Sequence, residues 1–311
     1  MIAPPSKRVL VTGAGGQVGT ELTVEAARMG FSVAALPHTD LDIADENAIA
    51  EAVTALKPDV VINAAAYTAV DKAESEPERA HAINARAPGF LGVACDRAGI
   101  PLLHISTDYV FDGNTGRPWR EDDPVAPLGV YGASKAEGED ALRRATANHV
   151  ILRTAWVFSP HGHNFVRTML RLSSERDELS VVDDQLGCPT SATDVARVLL
   201  KLTSTILDDK TAGGEQPRGT FHFCNAGTTS WYGFARAIMA GAEMRGAPSA
   251  AVQPIPTSAY PTPAHRPANS ALDCAKLKSV FGIEPRPWEE ALDGVLDRLL
   301  TATSERKAEA T

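Results

Sequence analysis

The sequence predicts an α/β fold: a doubly wound parallel sheet with a smaller, partly interleaved C-terminal lobe. Two observations predict it, namely short apolar segments that alternate with helix-length segments, and a change of pattern after about residue 156. Parallel strands need long crossover connections and are buried on both faces, so their sequences are apolar throughout, as they are here. The predicted strands are residues 9–12, 32–35, 60–62, 102–105 and 150–152.

The composition excludes several classes of protein. With 311 residues, 44% of them hydrophobic, the chain can form one large core or a core with a smaller lobe. Its 30 Lys and Arg against 39 Asp and Glu give a net charge of −9, which argues against nucleic acid as a partner. The N-terminal residues contain no long apolar segment, so we expect a cytoplasmic protein without a membrane partner.

The cysteines and histidines indicate neither a disulfide framework nor a metal site. The cysteines lie far apart without a Cys-x-x-Cys pair, and we expect reduced core thiols. The histidines show no metal-ligand spacing, and His161 and His163 flank a glycine in a predicted exposed loop. The four cysteines are Cys95, Cys188, Cys224 and Cys274.

A glycine-rich segment, residues 12–19, follows the first predicted strand and precedes a helical pattern. Its glycines allow a tight turn and a close approach to a pyrophosphate, and Gly19 allows the helix to pack against the strand. The helix N-terminus offers free N–H groups to the phosphates. The alternative is an ordinary strand-to-helix turn. At the first strand of an alternating chain, however, the segment predicts a Rossmann-type dinucleotide-binding domain.

We therefore predict three parts of the chain. Residues 1–156 form the dinucleotide-binding domain, and residues 157–300 form a substrate-binding lobe from which some segments return to the Rossmann sheet. Glycine- and proline-rich segments at 208–219 and 254–267 are typical of loops in that lobe. Residues 301–311 are predicted to form a flexible polar tail.

The residues after the second predicted strand leave the choice between NADH and NADPH open. An acidic residue at the end of that strand is typical of NAD, and a nearby arginine favours NADP, but residues 35–40 offer neither clearly. Asp42 has two interpretations. It either caps the helix that begins near Glu46 or contacts the adenine side of the cofactor.

The candidate catalytic residues follow the fourth predicted strand, which leads into Ser106 and Thr107. Further along, Tyr131 and Lys135 are four residues apart, a spacing that puts both side chains on one face of a helix. A lysine ammonium is expected to lower the pKa of a neighbouring phenol. Tyr131 could then protonate an alkoxide as hydride arrives, while a hydroxyl of Thr107 or Ser106 holds the carbonyl oxygen. The alternative is a surface tyrosine with a solvated lysine.

These segments resemble the extended short-chain dehydrogenase/reductase superfamily, which pairs a Gly-x-x-Gly-x-x-Gly turn with a Ser/Thr, Tyr and Lys triad. Within it the chain is similar to the dTDP-4-dehydrorhamnose reductase family over nearly its whole length. The similarity rests on the Gly-Gln-Val-Gly turn, the Ser-Thr-Asp-Tyr-Val-Phe segment and five further segments. Together they are residues 16–19, 63–74, 106–111, 130–135, 153–157, 184–190 and 256–270.

The resemblance implies hydride transfer from NADPH or NADH to the C4 ketone of a dTDP-linked 4-keto-6-deoxy sugar. It implies Thr107, Tyr131 and Lys135 as catalytic residues, with Lys135 also contacting the nicotinamide ribose. Tyr131 and Lys135 thus count among the cofactor-binding residues. The other implied cofactor-binding residues are Gly13, Gly16, Gln17, Val18, Gly19, Asp42, Ile43, Ala66, Tyr67 and Thr68.

The resemblance also implies substrate-binding residues, among them Thr107, Asp108 and Trp156. The alternative for Trp156 is a packed core indole directly after the fifth strand. Arg266 lies in a proline-rich segment, and its guanidinium suits a diphosphate or the thymine side of the ligand. The alternative for Arg266 is a structural salt bridge.

Some members of the family are dimers that share magnesium through interface glutamates. Glu21 matches one such position, but Thr193 stands where a metal-bridging member carries glutamate. Because magnesium prefers oxygen anions, we predict no required metal, and a monomer or weak homodimer. Glu74 and Glu76 are expected to lie on a solvated helix face with Lys72.

Two other functions compete with this hypothesis. Other nucleotide-sugar epimerases, dehydratases or reductases use the same triad and glycine turn with a different substrate pocket. A binding protein of the same fold, such as the beta subunit of methionine adenosyltransferase, is the alternative outside enzymes. The presence of Thr107, Tyr131 and Lys135 together argues against a purely regulatory role.

Overall fold

The computed structural model describes residues 6–208 and 217–308, with side chains to residue 300, and confirms the α/β class. The strands are β1 (Arg8–Thr12), β2 (Ser32–Leu36), β3 (Val60–Asn63), β4 (Leu102–Thr107), β5 (His149–Thr154), β6 (Val157–Phe158), β7 (Glu178–Val182), β8 (Leu186–Gly187), β9 (Thr190–Ser191), β10 (Gly219–His222), β11 (Thr229–Ser230) and β12 (Ala251–Ile255). The helices are α1 (Gln17–Arg28), α2 (Glu46–Leu56), α3 (Val70–Ala73), α4 (Pro77–His81), α5 (Ala87–Ala98), α6 (Val130–Ala145), α7 (Phe165–Ser173), α8 (Ala192–Asp208), α9 (Trp231–Met244), α10 (Ala275–Phe281) and α11 (Trp288–Ala308).

The central sheet has six parallel strands in the order β10-β5-β4-β3-β1-β2, which confirms the predicted doubly wound arrangement. All five predicted strands lie in it. The sixth, β10, comes from the residues assigned by sequence to the second lobe and pairs with β5, Phe221 opposite Leu152. Phe221 is its only large apolar side chain, so this segment carries no strand pattern of its own.

Helices cover both faces of the sheet. Because side chains alternate along a strand, Val9 and Val11 of β1 pack with α1 and α8, while Leu10 packs with α2, α5 and α6 on the other face. Helix α8 follows the predicted boundary at residue 156 and still packs against this sheet. The second part of the chain therefore contributes both a strand and a helix to the central layers.

A second apolar cluster lies in the C-terminal half. Helices α7, α9 and α11 pack against β7 around Phe158, Phe234 and Trp288, and β7 pairs with β12 in a separate two-stranded sheet. Helix α11 continues to Ala308, past the predicted start of the tail at residue 301; residues 309–311 of that tail lie outside the described residues. No helix in the described part of the chain has both the length and the apolar character to span a membrane.

The strand order reverses between β1 and β3, since the chain continues to β2 on one side and to β4 on the other. In doubly wound sheets a crevice opens at the carboxyl ends of the strands at this point and binds ligands. Gly13 follows β1 and Ala65 follows β3. A Cβ atom on Gly13 would lie only 2.5 Å from Ala65, so only glycine allows this approach.

Helix α6, which carries Tyr131 and Lys135, packs closely against a π-helical segment, Ala82–Arg86. Gly138 makes this contact possible, because a Cβ atom there would lie 1.9 Å from the main-chain oxygen of Asn84. The position of the candidate catalytic helix therefore depends on the absence of a side chain at residue 138.

We expect Gly138→Ala to lower the free energy of unfolding by about 1–3 kcal/mol, because the added methyl group must push α6 away from the backbone of residue 84. Gly116→Ala is the matched control, since nothing lies within 4 Å of its added Cβ atom. Urea unfolding followed by circular dichroism measures both variants. Equal midpoints for the two would contradict this account of the packing.

Candidate active site

The glycine turn has the geometry expected of a phosphate-binding turn. Gly13 has φ +68°, a left-handed conformation that favours glycine, and its oxygen accepts a hydrogen bond of 3.0 Å from Gly16 N. A Cβ atom on Gly19 would lie 2.2 Å from the same oxygen. Gln17 and Val18 begin α1, whose first N–H groups have no partner within the helix and are free to bind an anion.

Gln17 also joins the two parts of the molecule. Its Oε1 accepts a hydrogen bond of 2.9 Å from Asn164 Nδ2 at the start of α7. Asn164 in turn donates to the main-chain oxygens of Ser159 and His161. A residue implied in cofactor binding is thus positioned by a loop of the C-terminal half.

The interpretation of Asp42 as a helix cap is wrong. Asp45 caps α2, accepting hydrogen bonds from the N–H groups of Asn47 and Ala48. Asp42 is exposed, and its Oδ1 accepts a bond of 3.0 Å from Ala44 N, while the neighbouring Ile43 is buried in the core. The Asp42 carboxylate lies in the loop after β2, where the adenine-side interpretation requires it.

The loop after β3 carries Ala66, Tyr67 and Thr68 and is held by a residue that sequence analysis missed. The buried amide of Asn84 accepts a bond of 2.9 Å from Tyr67 N and donates to Tyr67 O at 3.0 Å. It also donates to Ser134 Oγ in α6 at 3.1 Å. Asn84 therefore ties the implied cofactor loop to the candidate catalytic helix. No sequence signal identifies it, because its role depends on a π-helical segment.

Tyr131 lies in the first turn of α6, with its ring 5.5 Å from that of Tyr109 in an edge-to-face arrangement. Burial raises the pKa of Tyr131 to about 12, although a hydrogen bond with Thr107 opposes this. The expectation that Lys135 lowers the pKa of Tyr131 is therefore wrong for this structure. Desolvation of the phenol is the larger influence, and the amine of Lys135 is directed elsewhere.

Lys135 is 2% exposed, one turn after Tyr131 on the same helix. Its Nζ donates to the main-chain oxygen of Ile105 at 2.7 Å and lies 3.2 Å from His104 Nε2. Burial lowers the pKa of Lys135 to about 8, and the Glu139 carboxylate opposes this. The lysine is therefore not the solvated surface residue of the alternative interpretation.

Thr107 and Asp108 lie where β4 ends, beside Tyr131. Thr107 Oγ1 donates to Asp108 Oδ1 at 2.9 Å and accepts a bond from Tyr109 N. Burial raises the pKa of Asp108 to about 6, an effect reduced by the nearby hydroxyls of Thr107 and Ser270. Asp108 Oδ2 and Ser106 Oγ are buried without a hydrogen-bond partner within 3.5 Å among the described residues. Buried polar atoms without a partner are unusual, and these two lie at the end of the strand that carries Thr107.

Trp156 follows β5 in a left-handed conformation, with φ +48°, which is rare for a bulky residue. Its indole is partly exposed, stacks on Trp231 with ring centroids 3.5 Å apart, and donates from Nε1 to Ser270 Oγ at 3.1 Å. Gly187 leaves room for the ring. The indole also packs against two apolar clusters, so its substrate-binding role stays a prediction.

Arg266 forms the salt bridge that its alternative interpretation describes. Its guanidinium binds the Asp71 carboxylate through two hydrogen bonds, Nη1 to Oδ1 at 3.0 Å and Nη2 to Oδ2 at 2.7 Å. This pairing joins the segment after β3 to the proline-rich segment and holds the pKa of Asp71 below its usual range. A ligand phosphate at Arg266 would share the guanidinium with Asp71.

One further residue was assigned wrongly from the sequence. Glu74 does not lie on a solvated face, because its Oε1 accepts a hydrogen bond of 2.8 Å from Val130 N at the start of α6. Glu76 does pair with Lys72 at 2.7 Å, as expected, and also accepts from the Tyr67 hydroxyl. Glu74 thus stabilises the N-terminal turn that presents Tyr131.

Comparison with known proteins agrees with this geometry. The RmlD substrate-binding domain family matches residues 7–301. A dTDP-4-dehydrorhamnose reductase of Burkholderia thailandensis is 46% identical over 92% of this chain and 96% of its own length. The Escherichia coli protein of the same name is 42% identical over 95% of this chain and 99% of its own length.

Solved structures give the same result. A dTDP-4-dehydrorhamnose reductase from Clostridium acetobutylicum superposes with a TM-score of 0.86 at 40% identity, covering 94% of this chain and 99% of that chain. The reductase from Bacillus anthracis, solved in complex with NADP, superposes with a TM-score of 0.87 at 35% identity and the same coverage. This chain therefore belongs to the RmlD substrate-binding domain family, in the group of the dTDP-4-dehydrorhamnose reductases.

Proposed function

We propose that this protein transfers a hydride from NAD(P)H to the C4 ketone of dTDP-4-dehydro-6-deoxy-L-mannose and so forms dTDP-L-rhamnose. The proposal rests on one observation: Tyr131, Thr107 and Asp108 lie together where β4 ends and α6 begins. This place lies on the carboxyl-end side of the sheet, the same side as the glycine turn. The relatives at 40–46% identity that are named for this reaction support it.

The cofactor is expected in the crevice between β1 and β3. The glycine turn and the N-terminus of α1 suit the diphosphate, and the loop with Ala66, Tyr67 and Thr68 lines the other side. The close approach of Gly13 to Ala65 leaves no side chain in the way. When bound, the dihydronicotinamide supplies the hydride. The NADP complex of the Bacillus anthracis relative supports NADPH as a cofactor, with NADH as the other candidate.

Tyr131 is proposed as the acid of the reaction. Because burial raises its pKa to about 12, the phenol keeps its proton until negative charge appears on the sugar oxygen. The Thr107 hydroxyl lies beside Tyr131 and donates to Asp108 Oδ1 at 2.9 Å; on binding of the substrate it would turn to donate to the ketone oxygen and hold it near the phenol. Asp108, Trp156 and Arg266 are the proposed contacts to the sugar nucleotide.

The proposal includes the cellular setting and the assembly. We place the enzyme in the cytoplasm, acting as a monomer or weak homodimer. Residues 1–156 are its proposed cofactor-binding part, and residues 157–300 its proposed substrate-binding part. The four cysteines are free thiols in the structure, which suits a reducing compartment.

We expect Tyr131→Phe to lower kcat at least about a hundredfold, because the alkoxide loses its proton donor. NADPH affinity should stay within about twofold of the natural protein, since the phenol makes one contact among many. Tyr232→Phe, whose ring contacts Arg236 outside the site, is the matched control. Oxidation of NADPH with dTDP-4-keto-L-rhamnose as substrate measures turnover.

Near-normal turnover of Tyr131→Phe would contradict the acid assignment. The same assay on the natural protein separates the competing functions. An epimerase or dehydratase would convert its sugar without net oxidation of NADPH, and a regulatory protein would bind without turnover.

Removal of divalent metal should leave turnover unchanged. Glu21 is fully buried, and its Oε1 accepts from Arg298 Nη1 at 2.7 Å. Its Oε2 accepts from Thr193 Oγ1 at 3.0 Å. Protein donors thus take the place of a cation. Dialysis against EDTA, followed by the NADPH assay, measures this; a loss of activity that magnesium restores would overturn it.

Asp108 is expected to reduce stability at neutral pH. Since its folded pKa is raised, the bound proton stabilises the folded state below about pH 4, and this stabilisation is lost as pH rises through about 6. Asp108→Asn cannot ionise. Its advantage in free energy of unfolding over the natural protein should therefore grow by about 1–3 kcal/mol as pH rises from about 5 to about 8. Urea unfolding at both pH values measures the gain.

Asp123→Asn is the control of opposite sign, because the Arg117 guanidinium lowers the pKa of Asp123 to about 2. That variant should lose stability at pH values where the carboxylate is charged. If the stability difference between Asp108→Asn and the natural protein did not change with pH, ionisation of the buried Asp108 carboxyl would not destabilise the folded state.

A further inference from the structure

A continuous chain of buried polar side chains crosses the sheet beneath the candidate site. It starts on β1, passes through the end of β3 and the middle of β4, and reaches α6. Every member is at most 2% exposed. The members are Thr12, Asn63, His104 and Lys135. Such groups require defined hydrogen bonds, so the donor and acceptor at each link can be assigned.

The direction of the chain is set at Asn63. Its Oδ1 accepts from Thr12 Oγ1 at 2.7 Å and from the main-chain N–H of Ala65 at 3.1 Å. Because a main-chain N–H can only donate, this end of the amide must be the oxygen. The other end, Nδ2, faces His104 Nδ1 at 2.9 Å and donates to it.

The orientation of Asn63 determines the tautomer of His104. With Nδ1 accepting, the neutral imidazole carries its proton on Nε2. Burial holds the pKa of His104 well below its usual value, so the ring stays neutral. The Nε2–H group then faces Lys135 Nζ at 3.2 Å.

Two donors cannot share one hydrogen bond, so this contact requires a lone pair on Lys135. A neutral amine satisfies it, accepting from His104 Nε2–H while donating to Ile105 O at 2.7 Å. Burial lowers the pKa of Lys135 to about 8, the direction that favours this state. The charged group that opposes it is Glu139 on the same helix, whose carboxylate is itself held by Arg153.

We infer that His104 is a positioning residue for the reaction: its Nε2–H holds the Lys135 amine in place and favours the deprotonated form. The inference deepens the proposed function and rests on it for the part that concerns turnover. The histidine touches neither cofactor nor substrate in this assignment. It connects the glycine-turn side of the sheet, through Thr12 and Asn63, to the catalytic lysine.

The tautomer can be tested without any ligand or turnover. Protein labelled with ¹⁵N-histidine is examined by long-range ¹H–¹⁵N correlation, and the His104 signals are identified by their loss in His104→Gln. We expect one neutral Nε2–H tautomer from about pH 6 to about pH 9. An Nδ1–H tautomer or an imidazolium in this range would overturn the inference, whatever the substrate of the enzyme proves to be.

Two substitutions separate a positioning role from a merely structural one. In His104→Asn the side-chain oxygen replaces Nδ1 and keeps Asn63 paired, but nothing reaches Lys135. In His104→Gln the amide nitrogen replaces Nε2 and still donates to Lys135, while the bond to Asn63 is lost. His104→Asn therefore loses the bond to Lys135 and His104→Gln loses the bond to Asn63. Both variants retain a polar side chain of similar size.

We expect His104→Asn to lower kcat about tenfold. The midpoint of the kcat–pH profile that reports deprotonation of Lys135 should move upward by about half a pH unit to one pH unit. His104→Gln should recover kcat to within about threefold and keep the natural midpoint. Equal losses in both variants with unchanged midpoints would show a structural role and overturn the inference. Absence of turnover in the natural protein would instead refute the proposed function, leaving the tautomer test unaffected.

Discussion

The candidate site depends on the hydrogen bond of 2.7 Å from the buried Lys135 Nζ to the main-chain oxygen of Ile105. This bond fixes helix α6 against the end of β4. Tyr131, one turn earlier, is thereby placed next to Thr107 and Asp108, which continue the same strand. Glu74 and Asn84 hold the helix from the other side, so residues remote in sequence meet at one corner of the sheet.

Burial drives the titratable groups at this corner toward their neutral forms. It raises the pKa of Tyr131 to about 12 and that of Asp108 to about 6, and it lowers that of Lys135 to about 8. The phenol therefore holds its proton more firmly than an exposed tyrosine, while the amine releases its proton more readily than an exposed lysine. Such an arrangement suits an acid that acts only when an alkoxide forms beside it.

Much of this could be predicted from local sequence patterns. The five core strands, the glycine turn and the spacing of Tyr131 and Lys135 are all encoded within short segments. Strand β10 and the partners of Glu74 and Asn84 could not be predicted, because they depend on contacts between distant segments. The pKa of Tyr131 was predicted in the wrong direction, since proximity in a helix reveals the charge of a neighbour but not the depth of burial.

The most direct test of the central claim is a crystal structure of the protein with NADP⁺ and dTDP-L-rhamnose. The account predicts the Tyr131 hydroxyl within about 3 Å of O4 of the sugar. It also predicts the Lys135 amine on the side of the nicotinamide ribose. A complex in which O4 lies beyond hydrogen-bond distance of Tyr131 and Thr107, with C4 next to the nicotinamide, would contradict it.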